Sequence, residues 1–255
     1  MREITSATNP FIKHLRALAA QRKVRQESSC FIIEGWRGID TLLHHKSPHY
    51  SLETLVLSPE WIDDPRLPEN LDTVLLPDLL FEKVSGVKSA QGILGIVRHA
   101  PAPLYVPESG KFLLLDNIRD PGNLGTLIRS AVGAGFDGIL LYGDCVEPFN
   151  PKVVRSTMGT FAFTGLWPVS IGEIDRFMVA GYELCTTSGT GGENLFEAAF
   201  GKSTILAIGS EAHGISPPIQ ERASRRLTIP LQPECESLNA AVAGSICMFG
   251  IANTN

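Results

Sequence analysis

The 255-residue sequence predicts an α/β protein with a mostly parallel sheet, preceded by a small α/β domain. From Lys111 onward, continuous apolar runs such as FLLLDN and GILLYG alternate with helical segments, the pattern of parallel strands buried on both faces. The densest proline run, HAPAPLYVPESG, separates this series from shorter strands and helices before it. We therefore expect an N-terminal domain over residues 1–100, a linker over 101–110 and a C-terminal domain over 111–255.

The chain begins with a segment that predicts a basic helix from Asn9 to about Gln26, with Pro10 near its first turn. Residues 1–26 carry six lysines and arginines against Glu3 alone, whereas the whole chain has a formal net charge of −5. A solvated surface helix accounts for this pattern, and so does an arm that contacts the phosphates of a nucleic acid.

The rest of the N-terminal domain alternates short strands and helices. A strand is expected from Cys30 to Ile33, turning through Gly35 into the helix WRGIDTLLHH, and Gly86 ends a second helix, LPDLLFEKVSG. The other expected strands are ETLVLSP, DTVLLP and GILGIVRH.

The C-terminal domain predicts a regular series of strands and helices. After FLLLDN these are, in order, the helix NLGTLIRSAVGAG, the strand GILLYG, the helix NPKVVRSTMGTF, the strand LWPV, the helix EIDRFMVAGY and the strands ELCTTS, TILAIGS and RLTIPL. A last helix, expected from Ala240 to Met248, is small or apolar throughout, yet Glu236, Ser237 and Asn239 stand at its entrance. We expect Ser237 to cap this helix and its polar head to open on a site, with Glu236 as a solvated charge.

Composition limits the class of protein. With 44% hydrophobic and 19% charged residues, the chain is typical of a soluble globular protein, and no apolar run approaches the roughly 18–20 residues that span a bilayer. The N-terminus has no apolar signal core, so we expect a cytoplasmic protein without a membrane anchor.

Cysteine and glycine motifs exclude several chemistries. The five cysteines include no CxxC pair, which argues against a zinc ribbon or a disulfide framework. GKST at 201–204 lacks the first glycine of a phosphate-binding loop, because Phe196 occupies its place, and GTGGEN at 189–194 ends on Asn194 where a dinucleotide fingerprint needs glycine. A nucleotide triphosphatase and an NAD enzyme are therefore disfavoured.

Three polar loops follow apolar strands, at the edge where open α/β sheets bind ligands. They are DNIRDPGNLGTLIRSAVGAG, AIGSEAHGIS and IPLQPECESLNAAVAG. Asn123 is the expected cap of the helix in the first loop, and Arg129, six residues on, is expected on roughly the same helix face. Each polar side chain alone has an ordinary explanation as a cap or a surface charge. Together, three such loops predict one site.

These segments resemble, in order and spacing, the three motifs of the SpoU (TrmH-type) family of SPOUT RNA methyltransferases. The resemblance covers 112–252 and rests on an N-x-x-x-x-x-R opening, a G-x-E-x-x-G loop and an S-L-N helix. Residues 1–100, with FIIEGWRGIDTLL, resemble the small substrate-binding domain that often precedes it. One departure is local: Ala212 and His213 follow Glu211, where the family commonly has glycine first.

The resemblance implies S-adenosyl-L-methionine as methyl donor, 2′-O-methylation of ribose in ribosomal or transfer RNA, a homodimer and a C-terminal trefoil knot. The catalytic residues it implies are Asn123, Arg129, Glu211, Ser237 and Asn239. The cofactor-binding residues are Thr187, Gly189, Gly209, Glu211, Gly214, Ile229, Leu231, Ser237, Leu238 and Asn239. RNA is expected at Lys13, Arg16, Arg22, Lys23, Arg25 and Arg129, and no metal is implied.

The role of the arginine leaves two possibilities. The resemblance implies that Arg129 acts on the 2′-hydroxyl as a base, yet an arginine guanidinium keeps its proton in proteins. Our hypothesis is that Arg129 stays cationic, binds the target's phosphate and stabilises the developing alkoxide, while the proton leaves through phosphate or water.

Three other functions remain open from the sequence. They are an RNA-binding module of this fold without catalysis, a methyltransferase acting on a base, and a thiol-dependent base methyltransferase using Cys145 or Cys235. The two-domain layout favours ribosomal over transfer RNA, by association only.

Overall fold

The computed structural model describes residues 1–86, 90–100 and 102–253. The chain forms two compact units: the first contains Met1–Ala102 and Glu147–Phe163, and the second contains Pro103–Val146 and Thr164–Asn255. Pro101 of the expected linker and residues 254–255 of the expected C-terminal domain lie outside the described residues.

The predicted strands occur in the predicted order, and the structure adds the strands Arg2–Glu3 and Glu193–Asn194 and the helix Pro217–Gln220, which the sequence pattern did not predict. The strands are β1 (Arg2–Glu3), β2 (Cys30–Glu34), β3 (Tyr50–Leu57), β4 (Asp72–Leu75), β5 (Ile93–His99), β6 (Gly110–Asp116), β7 (Gly138–Tyr142), β8 (Gly165–Val169), β9 (Glu183–Thr187), β10 (Glu193–Asn194), β11 (Ser203–Gly209) and β12 (Arg225–Thr228). The α-helices are α1 (Pro10–Ala20), α2 (Arg22–Ser28), α3 (Trp36–His44), α4 (Asp78–Val84), α5 (Pro121–Gly133), α6 (Pro151–Ser156), α7 (Ile171–Val179), α8 (Pro217–Gln220) and α9 (Ala240–Asn253).

The first unit contains a five-stranded mixed sheet in the order β1-β4-β3-β5-β2. Strands β1, β4 and β3 run parallel, and β5 is antiparallel to both β3 and β2. Helix α1 packs its apolar face, Ile12, Leu15 and Leu18, into the core beneath this sheet.

The prediction of a single basic helix from Asn9 to about Gln26 is wrong, because two helices, α1 and α2, occupy this segment. The backbone of Gln21 is extended, with φ −118° and ψ 113°, and this residue ends α1 and precedes α2. Because α2 takes a new direction, Arg25 turns inward, and its Nη1 donates to the carbonyl oxygen of Leu18 at 2.6 Å.

Residues 147–163, which lie within the expected C-terminal domain, pack with the first unit. Phe149 stacks on Phe31 at a centroid distance of 4.7 Å, and Phe161 meets the ring edge of Tyr50 at 5.0 Å. Aromatic packing of this kind is invisible to local sequence patterns, because the partners are far apart in the chain.

The second unit contains a sheet of seven strands in the order β10-β12-β9-β11-β6-β7-β8. Every pairing in it is parallel, which confirms the predicted sheet type. Its central strands are buried on both faces, and Leu113, Leu114 and Leu206 have no exposed surface. The trefoil knot stays a prediction.

The described ranges contain neither a helix suited to a bilayer nor a group of side chains suited to a metal ion. None of the helices there has the length and apolar character that a bilayer crossing needs. Within the same ranges, histidine, cysteine and acidic side chains form no group of three that could hold a metal ion.

Candidate active site

The three polar loops meet at one edge of the second sheet. Strands β6 and β11 are neighbours in register, so that Asp116 and Gly209, the last residues of each, lie opposite one another. Strand β9 pairs with β11 on its other side, and β12 pairs with β9. Because parallel strands end at the same edge, the loops after β6, β11 and β12 converge, as predicted.

Three side chains, one from each loop, form a hydrogen-bonded cluster at this edge. Glu211 Oε1 accepts from Asn123 Nδ2 at 3.1 Å and from Asn239 Nδ2 at 2.5 Å. Asn239 Nδ2 also reaches Asn123 Oδ1 at 3.1 Å. The two amides therefore fix the orientation of the carboxylate, and we call these residues the amide–carboxylate cluster.

Both expected helix caps in these loops are wrong. Asp120 caps α5, since its Oδ1 accepts from the backbone N–H of Asn123 at 2.8 Å. Asn239, and not Ser237, caps α9, because its Oδ1 accepts from Ala241 N at 2.9 Å and Val242 N at 3.2 Å. With Asp120 as the cap, the Asn123 side chain is free to face Glu211.

All ten residues expected to bind the cofactor line two adjoining clefts of the second unit, which we call together the donor cleft. One part has a volume of 410 Å³ and contains the glycines and the polar residues Glu211, Ser237 and Asn239. The other, of 130 Å³, adds the apolar wall of Ile229 and Leu231. Thr187, Gly189, Ser237 and Leu238 line both parts.

The donor cleft fits S-adenosylmethionine. Its aliphatic side chains can exclude water from an adenine ring. Gly209 cannot be replaced, because an added Cβ would lie 2.1 Å from the backbone of Gly214. Gly214 has φ +65° and closes a turn by donating its N–H to Ser210 O at 2.8 Å. Exposed backbone here can approach a ligand closely.

Arg129 does not join the cluster, and its expected position on the face of Asn123 is wrong. Six residues rotate a helix by about 600°, roughly 120° short of two turns. The residue near two turns from Asn123 is Ser130, whose Oγ lies 2.7 Å from Ser245 Oγ of α9. Arg129 is exposed and lines neither part of the donor cleft.

The residues expected to bind RNA through the first helices divide into two groups. Lys13, Arg16, Arg22 and Lys23 are exposed. The prediction that Arg25 binds RNA is wrong. This side chain is 4% exposed, and its guanidinium pairs with Glu147 through Nε–Oε1 at 2.8 Å and Nη2–Oε2 at 2.5 Å. A side chain held in this way is a structural tie of the first unit and cannot meet a phosphate.

The surroundings of Cys145 do not favour a nucleophilic thiol. Burial raises the pKa of the Cys145 thiol, and its Sγ donates to the carbonyl oxygens of Leu115 and Tyr142 at 3.4 Å. Cys235 is exposed, and its Sγ lies 3.5 Å from the carbonyl oxygen of Ser237. A reactive thiol needs surroundings that favour the thiolate, and burial of Cys145 does the opposite.

Asp116 is a site residue that the sequence did not single out. It has no exposed surface, and its carboxylate accepts from Asn117 Nδ2 and from the backbone N–H of Ser216, both at 2.6 Å. It thereby ties the loop after β6 to the loop after β11. The available signal was a lone acidic residue ending an apolar strand, where a buried charge requires partners.

Comparison with known proteins decides the family. The model of the SpoU rRNA methylase family matches residues 110–249, and that of the MRM3-like substrate-binding domain matches residues 9–95. The chain belongs to the SpoU rRNA methylase family. The resemblance and the order of a substrate-binding domain before the methylase domain are therefore confirmed, whereas the trefoil knot is still a prediction.

Relatives and solved structures of SpoU-family proteins match nearly the whole chain. A 23S rRNA (guanosine(2553)-2′-O)-methyltransferase of Bacillus subtilis is 31% identical and covers 98% of each chain. An S-adenosylmethionine-bound rRNA methyltransferase from Sinorhizobium meliloti has a TM-score of 0.85 at 29% identity, covering 97% of this chain and 96% of the other. A putative TrmH-family RNA methyltransferase from Porphyromonas gingivalis has a TM-score of 0.81 at 31% identity, covering 93% and 95%.

Proposed function

We propose that this SpoU-family protein is an enzyme that transfers a methyl group from S-adenosylmethionine to a ribose 2′-hydroxyl in ribosomal RNA. The observation that carries the proposal is the amide–carboxylate cluster at the rim of the donor cleft. The relative from Bacillus subtilis, which matches 98% of each chain, is a 2′-O-methyltransferase of ribosomal RNA. This similarity favours a ribose over a base as the methyl acceptor, and ribosomal over transfer RNA as the substrate.

The chain's own residues supply orientation. S-adenosylmethionine, when bound, supplies a methyl group that is already activated on a sulfonium. Ile229, Leu231 and Leu238 would hold its adenine, and Glu211, fixed by two amides, would orient the ribose hydroxyl. Orientation of reacting groups alone contributes about 7–11 kcal/mol.

Arg129 acts as a cation in this proposal. It is exposed, and among the described residues it has no hydrogen-bond or ion-pair partner, so its guanidinium is available to a phosphate. Because Arg129 lies outside the amide–carboxylate cluster, we assign its charge to a phosphate of the RNA, which a guanidinium binds through two parallel hydrogen bonds. Arg129→Lys distinguishes the two roles: near-full activity of this variant at high pH supports a base and contradicts a cation.

RNA binds, we propose, to the exposed cations of the first unit, Lys13, Arg16, Arg22 and Lys23. Contacts with phosphates release counterions, so affinity falls steeply with salt. A dissociation constant that stays flat from low to moderate salt contradicts this assignment.

The protein forms a homodimer through α9 in this proposal. Val242 and Phe249 of α9 are 47% and 45% exposed, and Phe196, which borders the same apolar surface, is 62% exposed. Phe249 lies against Gly133 of α5, and Arg129 precedes Gly133 by one helical turn. Arg129 therefore lies beside the dimer face. Sedimentation of Phe249→Glu as a monomer, with the unmodified protein a dimer, is the expected result.

We further place the protein in the cytoplasm, where ribosomal RNA and the donor meet. The direct test of the proposed function incubates the protein with methyl-labelled S-adenosylmethionine and ribosomal RNA from cells that lack the gene. Methylated ribose blocks cleavage at its 3′ phosphodiester, so alkaline hydrolysis should leave the label in a resistant dinucleotide. Label released as a mononucleotide indicates a base methyltransferase, and no incorporation despite donor binding indicates an RNA-binding module.

A further inference from the structure

A second cleft lies beside the donor cleft in the second unit. Its volume is 510 Å³, within the range of about 300–1,000 Å³ that is typical of small-ligand sites. Residues 117–120 and 210–217 form most of its walls. The residues that line both clefts are Ser210, Glu211, Gly214, Ile215 and Ala240.

The amide–carboxylate cluster is the boundary between the two clefts. Asn239 lines the donor cleft, Asn123 lines the second cleft, and Glu211 lines both. Since these three side chains are hydrogen-bonded to one another, a ligand in either cleft meets the same carboxylate. A methyl acceptor in the second cleft would thus face the donor across Glu211.

Arg119 gives the second cleft a cation that a ligand can recruit. It pairs with Asp144 at 3.1 Å, but the two side chains are 70% and 74% exposed, and such pairs contribute only about 0–1 kcal/mol. A phosphate can therefore replace Asp144, since the existing pair is weak and a guanidinium also binds phosphate through two parallel hydrogen bonds. The carboxylate of Asp120 in the same wall is occupied by the backbone N–H of Asn123.

Two further side chains of the second cleft are suited to a nucleotide. His213 is exposed, and its backbone N–H donates to Ser210 Oγ at 3.2 Å, which holds the residue at the turn between Ser210 and Gly214. Ser216 Oγ is buried and has no hydrogen-bond partner within the described part of the chain. A buried hydroxyl without a partner costs about 1–3 kcal/mol, so a ligand that bonds to it recovers that cost.

We propose that the second cleft holds the target ribonucleotide of the RNA, with Arg119 on its phosphate and His213 against its base; this rests on the proposed methyl transfer to RNA. Single-stranded bases stack on aromatic rings, including imidazole. The ribose that joins this phosphate and this base would then lie in the cleft that Glu211 also lines. Both residues bind substrate and neither binds the methyl donor.

The test compares Arg119→Ala and His213→Ala with the unmodified protein, using ribosomal RNA from cells that lack the gene. Each variant should raise KM for RNA about tenfold or more, equivalent to about 1.4 kcal/mol, and leave the Kd for S-adenosylmethionine within about twofold. Arg119→Ala should also reduce the salt dependence of RNA binding by about one ion. His213→Phe should restore much of the KM, because a phenyl ring still stacks.

Arg176→Ala is the matched control, because Arg176 is exposed on α7 and lines neither cleft. Unchanged KM for RNA in both variants overturns the proposal, and so does a parallel loss of donor affinity. Failure of the unmodified protein to methylate RNA contradicts the proposed function instead. In that case, titration with guanosine 5′-monophosphate should shift the imidazole NMR signals of His213, beyond any effect of inorganic phosphate, and no shift overturns the proposal.

Discussion

Asn239 and Glu211 lie 28 positions apart and are joined by a 2.5 Å hydrogen bond from Nδ2 to Oε1. The same asparagine starts α9, since its Oδ1 accepts from the N–H groups of Ala241 and Val242. One side chain thus sets where a buried helix begins and how a carboxylate at the donor cleft is oriented. The polar entrance of this apolar helix has a double role, as cap and as part of the site.

Glu211→Gln should abolish most methyl transfer. Both amides of Asn123 and Asn239 donate to one oxygen, Oε1, which glutamine keeps. The substitution instead removes the negative charge and replaces the second oxygen, the acceptor that we assign to the ribose hydroxyl, with an N–H donor. We expect a fall in kcat of about a hundredfold or more, the usual effect of removing one preorganised polar group, measured by single-turnover methylation. Glu236→Gln, at an exposed position of the loop before α9, should keep full activity. Equal activity of the two variants contradicts a role for the cluster.

Substitution of Asn239 separates its two roles. Asn239→Ser keeps an oxygen that can cap α9 but removes the Nδ2 donor, so stability should change by less than about 0.5 kcal/mol while activity falls. Asn239→Ala loses both functions and should also cost about 1 kcal/mol of unfolding free energy. Urea unfolding with parallel activity assays checks this. Full activity of the serine variant would mean that the cap alone matters.

Breaking the buried pair of Arg25 and Glu147 should destabilise the first unit strongly. The side chains are 4% and 9% exposed, and removal of one partner from a buried pair typically costs about 3–5 kcal/mol. Glu147→Gln should therefore shift the urea midpoint far more than Lys23→Ala, whose ion pair with Glu27 is 83% and 66% exposed. Lys23→Ala should instead weaken RNA binding. Similar stabilities of the two variants would contradict the buried pair.

Methyl transfer should not need a thiol. Cys145→Ala and Cys235→Ser should keep activity within about twofold. Burial raises the pKa of the Cys145 thiol, and transfer of a methyl group to a ribose hydroxyl needs no nucleophile from the protein. Burial also raises the pKa of Cys185 and Cys247 to about 12, so a thiol reagent at neutral pH should modify Cys235 first. Loss of activity in either variant would revive the thiol-dependent alternative.

Stability should fall on the acid side because of His99. Burial lowers the pKa of this histidine, with Glu147 opposing and Arg98 adding to the shift, and its ring stacks on Phe149 at 4.3 Å. The unfolded chain then binds a proton near pH 6.5 before the folded chain does, so stability is lost as pH falls from about 6.5 through the folded pKa. His99→Phe should flatten the dependence of the free energy of unfolding on pH in this range, as measured by urea unfolding at several pH values. An unchanged slope would contradict a lowered pKa of His99.

Local pattern predicted the strands, the parallel sheet and the meeting of three loops, because continuous apolar runs and strand ends are properties of neighbouring residues. It failed where distance or rotation decides. The partner of Arg25 lies 122 positions away, so its burial could not be read from a basic segment. The separation of Arg129 from Asn123 followed from helix geometry, since six residues fall well short of two turns.

The caps of α5 and α9 show a second kind of limit. Ser, Asp and Asn are all good caps, and each loop offers more than one of them. Which one is used depends on where the helix starts, and that depends on packing. With Asp120 and Asn239 as the caps, the side chains of Asn123 and Glu211 are hydrogen-bonded to one another.

The central claim is methylation of a ribose in ribosomal RNA, and mapping 2′-O-methyl positions in total RNA tests it most directly. Cells with and without the gene are compared, with a third strain that carries only the Glu211→Gln variant. The expected result is one ribosomal position that loses its 2′-O-methyl group without the gene and is not restored by the variant. Identical methylation maps with and without the gene, or a lost modification on a base, would contradict the account.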